Sequence, residues 1–209
     1  MNAHTKAILD QLDAHYGREY ICYLNHENAW QLLIATMLSA QCTDARVNIV
    51  TKDLFVKYPS VEAFAEADLK ELEQDIRPTG FYHNKAKNII ACCQKLLQDY
   101  NGEVPSDIEQ LTALAGVGRK TANLIVGDVY GKESIVVDTH MIRISNRLGL
   151  VSEKDPYKIE LALKKIIPSE EGSDFCHRVV LFGRDICPAR KPKCDICPMT
   201  EICKKTGVK

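Results

Sequence analysis

The chain has 209 residues, 45% of them hydrophobic, which is enough to bury a core as one compact unit or as two small lobes. The formal net charge is −1, so overall charge gives no argument for a nucleic-acid partner. Because the chain has neither an apolar run of about 18 residues nor a signal-peptide core after Met1, we expect a soluble, cytoplasmic protein that has no membrane partner.

Apolar residues recur at helical spacing along almost the whole chain, and segments that predict strands are scarce. Glycine, proline and N-capping residues divide this pattern into about ten helices. In chain order, one ends at Gly17, one is marked by apolar residues between Leu33 and Leu38, one ends at Tyr58, and two short ones follow up to Ile76. A long helix follows the break at Pro78-Thr-Gly80 and ends at Asn101-Gly102, one begins after a cap at Ser106, and the others span 120–130, 138–148, 155–168 and 174–186. This order predicts an all-α fold.

The most informative segment is Leu114-Ala-Gly-Val-Gly-Arg-Lys-Thr-Ala122, which lies between two predicted helices. Gly116 and Gly118 allow positive φ on both sides of Val117, so the chain can turn tightly there. Such a turn leaves N–H groups and a helix start available to bind a phosphate. Lys120 falls in the first turn of that helix.

An acidic residue, Asp138, follows 18 positions after Lys120. A helix up to Tyr130 is roughly 16 Å long, and the residues from there to Asp138 can span about 26 Å when extended. The chain can therefore return to the helix start. A phosphate-binding hairpin with a lysine, and a carboxylate within reach of it, indicates chemistry on a nucleic-acid backbone.

Four of the nine cysteines fall near the C-terminal end with the spacing C-x6-C-x2-C-x5-C, at Cys187, Cys194, Cys197 and Cys203. In a reducing compartment this grouping indicates a metal site, and four thiolates suit either zinc or a 4Fe-4S cluster. Zinc sites more often use two close C-x2-C pairs, and only one is present, which favours iron–sulfur. The other five cysteines are interpreted as small buried hydrophobic residues.

Positive charge is concentrated in the same region. Residues 184–209 contain seven Lys or Arg and three acids, a balance of +4, so the remaining residues carry −5. A basic segment between the first two cysteines contains Arg190, Lys191 and Lys193. A metal site would hold this segment so that its side chains face a phosphate. The alternative is a solvated basic tail.

The hairpin at 114–122, the segment Val137-Asp-Thr-His140 and the closing cysteines together resemble the endonuclease III family of DNA glycosylases. Shorter matches are Leu38-Ser-Ala-Gln41, Thr43-Asp44, Asn101-Gly-Glu-Val-Pro105 and Gly183-Arg184. The likeness runs in order from about residue 20 to residue 205.

The resemblance implies two helical lobes with a DNA-binding cleft between them. A six-helix lobe would span 22–132 and carry the helix-hairpin-helix at about 107–130. The second lobe would combine 1–21 with 133–209, and a 4Fe-4S cluster would occupy the loop at 187–203. The implied activity is base excision repair: a monomer bound to damaged double-stranded DNA, associated with the bacterial nucleoid, removes oxidised pyrimidines and then nicks the strand 3′ to the abasic site by β-elimination.

The family mechanism implies that Lys120 attacks C1′ of the deoxyribose, expels the base and forms a Schiff base. Asp138 would stabilise the positive charge that develops on the sugar and help to move protons. Its other possible role is to cap the helix that begins at Thr139, and the two roles are compatible. For Lys120 the alternative is a simple phosphate contact.

The family also fills the gap left by a flipped base with two loops, whose matching residues are Gln41 and Phe81. Phe81 stands where the family usually has Leu. The alternatives are a helix C-cap for Gln41 and core packing for Phe81. Ala115 replaces the family's usual Pro, from which we expect a less rigid hairpin. The implied phosphate contacts are the backbone around Gly116, Val117 and Gly118, the side chain of Arg119, and His140, for which helix packing is equally compatible.

Three other classes fit parts of this pattern. A monofunctional glycosylase of the same fold, of the adenine or mismatch type, relies on water and usually lacks the lysine found at Lys120. A non-catalytic helix-hairpin-helix module would need neither Lys120 nor Asp138. An iron–sulfur electron carrier would leave some 180 residues without a role. Lys120 therefore favours a lyase.

Overall fold

The computed structural model describes residues 1–17 and 22–208. Within these ranges the chain is helical, with eleven α-helices, three short 3-10 segments and no β-strand, which confirms the predicted all-α class. No helix of the described ranges is both long enough and apolar enough to cross a membrane. The helices are α1 (Ala3–Tyr16), α2 (Ala29–Leu38), α3 (Asp44–Lys57), α4 (Val61–Ala65), α5 (Leu69–Asp75), α6 (Tyr82–Tyr100), α7 (Ile108–Thr112), α8 (Arg119–Asp128), α9 (Thr139–Leu148), α10 (Pro156–Lys164) and α11 (Gly172–Asp185), and the 3-10 segments are Arg77–Thr79, Ser169–Glu171 and Cys194–Ile196.

Most helices begin where a short polar side chain accepts a hydrogen bond from the first turn. Asp68 and Asp155, for example, accept from the backbone N–H three residues later. This contact replaces an intrahelical bond that the first turn lacks. The predicted cap at Ser106 is wrong by one residue, because Asp107 accepts from Glu109 N and Gln110 N. Two consecutive residues can both act as caps, and the structure uses the carboxylate.

Other predicted helix boundaries also differ from the structure, and α10, for example, ends at Lys164 and not at Pro168. The helix after the hairpin runs from Arg119 to Asp128 and is shorter than the predicted 120–130. The last long helix begins at Gly172, not at Asp174, because it continues directly from the 3-10 segment Ser169–Glu171. A Cβ at Gly172 would clash with the backbone oxygen of Ser134, so a glycine permits this close approach.

The chain divides into two compact units. The first, which we call the hairpin unit, is Cys22–Tyr130; the second, the cluster unit, combines Met1–Ile21 with Gly131–Lys209. Each has its own hydrophobic core. In the hairpin unit α2 is buried on nearly all sides, and Phe64 packs edge-on against Trp30. In the cluster unit the core forms among α1, α9, α10 and α11.

Candidate active site and iron–sulfur site

The hairpin turn between α7 and α8 is shaped by Gly116. Its φ is +74°, a conformation that favours glycine, and a Cβ there would lie 2.8 Å from Asn88 Cβ and 3.0 Å from Met37 Cε. The turn therefore lies directly on α6 and α2. Gly118 has φ −88°, so the expectation of two positive φ values is wrong. At Gly118 the chain is already extended, as is usual before a helix.

The hairpin presents its backbone to solvent while one side chain anchors it. Val117 is 6% exposed and packs in the core of the hairpin unit. Gly116, Gly118, Arg119 and Lys120 are exposed. No side chain caps the first turn of α8, since Gly118 occupies the N-cap position. The start of α8 thus combines exposed N–H groups, the positive end of the helix dipole and two cationic side chains, an arrangement suited to a phosphate.

Gln41 and Phe81 share an unusual backbone conformation. Their φ values are 55° and 52°, in the left-handed region that non-glycine residues rarely adopt. Both are exposed, and Phe81 is 63% exposed, which excludes the alternative of core packing. Ser39, and not Gln41, is the C-cap of α2, which excludes the other alternative. Strained, exposed residues of this kind concentrate at functional sites.

These residues meet at one cavity of about 190 Å³ in the hairpin unit. Gln41, Phe81 and Gly116 line it together with Asn88 and Lys85. Three residues that were assigned to DNA contact from separate motifs therefore lie around one opening. Their common location supports one binding surface, which we call the wedge surface, made of Gln41, Phe81 and the hairpin turn.

Lys85 is a component of this surface that sequence reasoning missed. It is 7% exposed, and its Nζ donates to Leu38 O at 2.8 Å and to Thr79 O at 2.9 Å. Burial lowers the pKa of Lys85. The sequence does contain a sign that Lys85 is buried. Lys85, Ile89 and Cys92 follow the i, i+4, i+7 spacing of a buried helix face.

In the cluster unit Asp138 is the N-cap of α9. Its Oδ1 accepts from Met141 N at 2.8 Å, and the residue is half-buried. The predicted cap is therefore present, and it fixes the direction of the carboxylate. The other predicted role, charge stabilisation beside Lys120, stays a prediction, because Lys120 belongs to the hairpin unit and each unit is described by itself.

His140 packs within the cluster unit. Its Nδ1 lies 3.1 Å from Arg143 Nη2, and a Cβ at Gly183 would collide with the imidazole, so His140 lies against α11. The same guanidinium donates to Gly183 O at 3.1 Å. Burial lowers the pKa of Arg143, and the charge of Arg147 lowers it further. These contacts support the packing role, while phosphate contact by His140 stays a prediction.

The four C-terminal cysteines line one cavity, which fits the predicted metal site. Two sulfur atoms already receive hydrogen bonds, from Arg147 Nη1 to Cys187 Sγ at 3.2 Å and from Lys205 N to Cys203 Sγ at 3.3 Å. N–H donors to sulfur are characteristic of iron–sulfur ligands. No three His, Cys, Asp or Glu side chains in the described ranges form a group for a single metal ion. Four thiolates around one cavity are the ligand set of an iron–sulfur cluster and also of a structural zinc site.

Arg147, a second residue that sequence reasoning missed, holds the segment around the first cysteine. It is 8% exposed, and it donates to Pro188 O and Ala189 O, each at 2.8 Å. The basic segment follows directly, and Arg190, Lys191 and Lys193 are exposed. Burial raises the pKa of both Cys197 and Cys203, and the neighbouring cysteines raise it further.

Comparison with known proteins agrees with this geometry. Residues 34–169 match the family model of the HhH-GPD superfamily base excision DNA repair proteins, which covers both the hairpin and Asp138. Residues 187–203 match the iron–sulfur binding domain of endonuclease III. The two matches define a helix-hairpin-helix repair enzyme with an iron–sulfur domain.

Individual proteins give the finer assignment. Endonuclease III of Bacillus subtilis is 46% identical over 185 residues, 88% of this chain and 84% of that protein. A non-covalent endonuclease III–DNA complex matches with a TM-score of 0.90 and 46% identity over 98% of this chain and 97% of that chain. A trapped endonuclease III–DNA covalent intermediate matches equally well.

The chain therefore belongs to the endonuclease III family. It is a base excision repair enzyme, a DNA glycosylase with lyase activity at abasic sites, and its partner is DNA. The predictions of an iron–sulfur cofactor and of this enzyme class are confirmed. The cluster carried by this family is 4Fe-4S, and the residues that would hold it are Cys187, Cys194, Cys197 and Cys203.

Proposed function

We propose that Lys120 is the nucleophile that both removes the damaged base and opens the strand. The observation that carries this proposal is that Lys120 is exposed in the first turn of α8, directly after a glycine turn whose backbone faces solvent. A phosphate bound at the helix start would bring a deoxyribose within reach of Nζ. The trapped covalent DNA complex of a 46% identical protein supports a covalent route.

The chemistry uses one lysine twice. The neutral Nζ attacks C1′ of the extruded nucleotide, and the C1′–N bond breaks so that the base leaves with the electron pair and takes up a proton. The C1′–O4′ bond then breaks, O4′ takes the electron pair and a proton that Nζ gives up, and a Schiff base forms between C1′ and Nζ. Loss of a proton from C2′ then expels the 3′ phosphate by β-elimination, and water releases Lys120.

Asp138 is the proposed electrostatic and proton-transfer partner. As the N-cap of α9 it keeps its carboxylate in a single direction, and its second oxygen is left for the reaction. A negative charge at that position would stabilise the cationic sugar and receive or return protons during ring opening and elimination. Capping and catalysis thus use the two oxygens of one carboxylate.

The wedge surface is proposed to hold the opened duplex. Gln41 would take the place of the extruded nucleotide and hydrogen-bond the orphan base, and Phe81 would enter the stack as an apolar wedge. Backbone N–H groups at Gly116, Val117 and Gly118 and the side chain of Arg119 would bind the phosphates beside the lesion. In the cluster unit the proposed phosphate contacts are His140 and the basic segment with Arg190, Lys191 and Lys193.

The cluster has a structural role in this proposal. When bound to the four cysteines it would hold both ends of the basic segment, as Arg147 already holds its start. The proposed substrates are oxidised pyrimidines in duplex DNA. We also propose that the enzyme acts as a monomer in the cytoplasm, on the DNA of the nucleoid.

Borohydride trapping tests the nucleophile. Reduction of the Schiff base should link the wild-type protein covalently to a duplex with one abasic site. Lys120→Ala should abolish this product and still bind a reduced abasic analogue in a fluorescence anisotropy assay. Lys70→Ala is the matched control, an exposed lysine of the same unit, and should trap normally. Undiminished trapping by Lys120→Ala would remove Lys120 from the mechanism.

A further inference from the structure

Lys85 is a buried cation between two loops that the proposed function uses. One acceptor, Leu38 O, is at the end of α2, three residues before Gln41. The other, Thr79 O, ends the 3-10 segment, two residues before Phe81. A single ammonium group therefore connects the loop of Gln41 to the loop of Phe81, and among the described residues its two acceptors are backbone carbonyls.

The two carbonyls suit a cation for a simple physical reason. The last carbonyls of a helix lack intrahelical partners, and they form the negative end of the helix dipole. At Lys85 the last carbonyl of α2 and the last carbonyl of the 3-10 segment Arg77–Thr79 accept from one ammonium group, and these hydrogen bonds offset part of the cost of burying its charge. Removal of the ammonium group would leave both carbonyls without this donor.

Backbone strain on both loops makes the connection important. Gln41 and Phe81 hold left-handed φ values, and residues persist in such conformations only when their surroundings constrain them. Lys85 supplies the constraint at the base of each loop. Lys85 also lines the cavity that Gln41 and Phe81 line.

We propose that Lys85 is a positioning residue that couples the Gln41 loop to the Phe81 loop, so that both side chains enter the opened duplex as one rigid unit. This inference rests on the proposed roles of Gln41 and Phe81. At 7% exposure Lys85 is not available to a phosphate, and both carbonyls hold its Nζ, so it is neither a DNA contact nor the nucleophile.

The test compares a reaction that requires the duplex to be opened, base excision, with one that does not, covalent trapping on single-stranded abasic DNA. Lys85→Met keeps the length and loses the donors, and it should slow single-turnover excision of an oxidised pyrimidine from duplex DNA by about 10- to 100-fold. A 2-aminopurine placed opposite the lesion should show a matching loss of the fluorescence change on binding. Borohydride trapping on single-stranded abasic DNA, which needs no duplex opening, should stay within about twofold of wild type.

Three further variants separate positioning from general damage to the fold. Lys87→Met, an exposed lysine on the same helix, is the matched control and should leave both rates unchanged. Lys85→Arg keeps the charge and the donors and should recover most of the excision rate. In a Gln41→Ala, Phe81→Ala background, Lys85→Met should add less than about a twofold effect, because the coupled side chains are already absent. If Lys85→Met does not fold, Lys85→Gln is tested with the same expectations.

The outcomes of the two proposals are distinct. Full excision and a normal 2-aminopurine signal in Lys85→Met, or a defect that is additive with Gln41→Ala and Phe81→Ala, would overturn the role of Lys85. Absence of trapping by the wild-type protein would instead overturn the proposed function, whatever Lys85→Met does.

Discussion

The N-termini of α8 and α9 are opposite solutions to the same problem. Both helices have ten residues, and each begins with a first turn whose N–H groups need acceptors. At α9 Asp138 supplies the acceptor itself. At α8 Gly118 supplies none and leaves the turn exposed. The N-terminus of α9 is therefore capped, and this cap orients the carboxylate of Asp138. The N-terminus of α8 is uncapped, and we propose that it receives a phosphate.

The same contrast continues at the other end of α9. Arg147, in its last turn, is buried and donates to the segment that leads into the first cluster ligand. One short helix therefore fixes a proposed catalytic carboxylate at its start and the iron–sulfur loop at its end. At the first turn of α8, in contrast, Arg119 and Lys120 are exposed.

The largest expected effect separates the two roles of Asp138. Asn caps helices as well as Asp does, so Asp138→Asn should keep the hydrogen bond from Met141 N. Its free energy of unfolding should stay within about 0.5 kcal/mol of the wild-type value. Its excision rate should fall by about 10²- to 10⁴-fold, because the charge is lost. Single-turnover kinetics and thermal unfolding measure the two effects. An unchanged rate in a normally stable Asp138→Asn would show that Asp138 only caps.

The next effect concerns the far end of α9. Arg147→Met should destabilise the cluster unit by about 2–4 kcal/mol, since Pro188 O, Ala189 O and Cys187 Sγ all lose a buried donor. Arg147→Met should also retain less iron than the wild type after incubation with a chelator. Arg119→Met, on the open first turn of α8, is the control: it should keep its iron and its stability and bind DNA more weakly. Equal iron retention in both variants would contradict the assigned role of Arg147.

The smallest effect is expected from adding a capping side chain at Gly118, the N-cap of α8. A Cβ at Gly118 meets nothing within 4 Å, and φ is −88°, so a side chain fits there without strain. Gly118→Asp should stabilise the free protein by about 0.3–1 kcal/mol as an N-cap and weaken binding to an abasic duplex about tenfold. Gly118→Ala fits equally well but adds no acceptor, and it should change neither quantity much. Retained affinity in Gly118→Asp would mean that the first turn of α8 receives no phosphate.

Local chemistry made part of this structure predictable. The caps at Asp138 and Asp155 could be identified because a short acidic side chain before an apolar periodic run has one common use. Gly118 was assigned the wrong backbone angle, because a glycine can serve either for its φ freedom or, as here, for its missing side chain. The sequence alone contains no information that separates these two uses.

Sequence analysis missed Lys85 and Arg147 for the same reason. Lys85 and Arg147 each bind a backbone carbonyl that lies more than 40 positions away along the chain, Leu38 O for Lys85 and Pro188 O for Arg147. A carbonyl leaves no trace in the residue types of a sequence. Only the folded chain shows these contacts. The proposed pairing of Lys120 with Asp138 would depend in turn on the arrangement of the two units, which neither helix encodes by itself.

Mapping the covalent adduct identifies the amine that attacks the sugar, which we propose is Lys120. The wild-type protein is reduced with borohydride on an abasic duplex and digested, and the peptide that carries the sugar fragment is identified by mass spectrometry. We expect one adduct, on Nζ of Lys120. An adduct on any other amine, such as Lys85 or the amino group of Met1, would contradict this expectation.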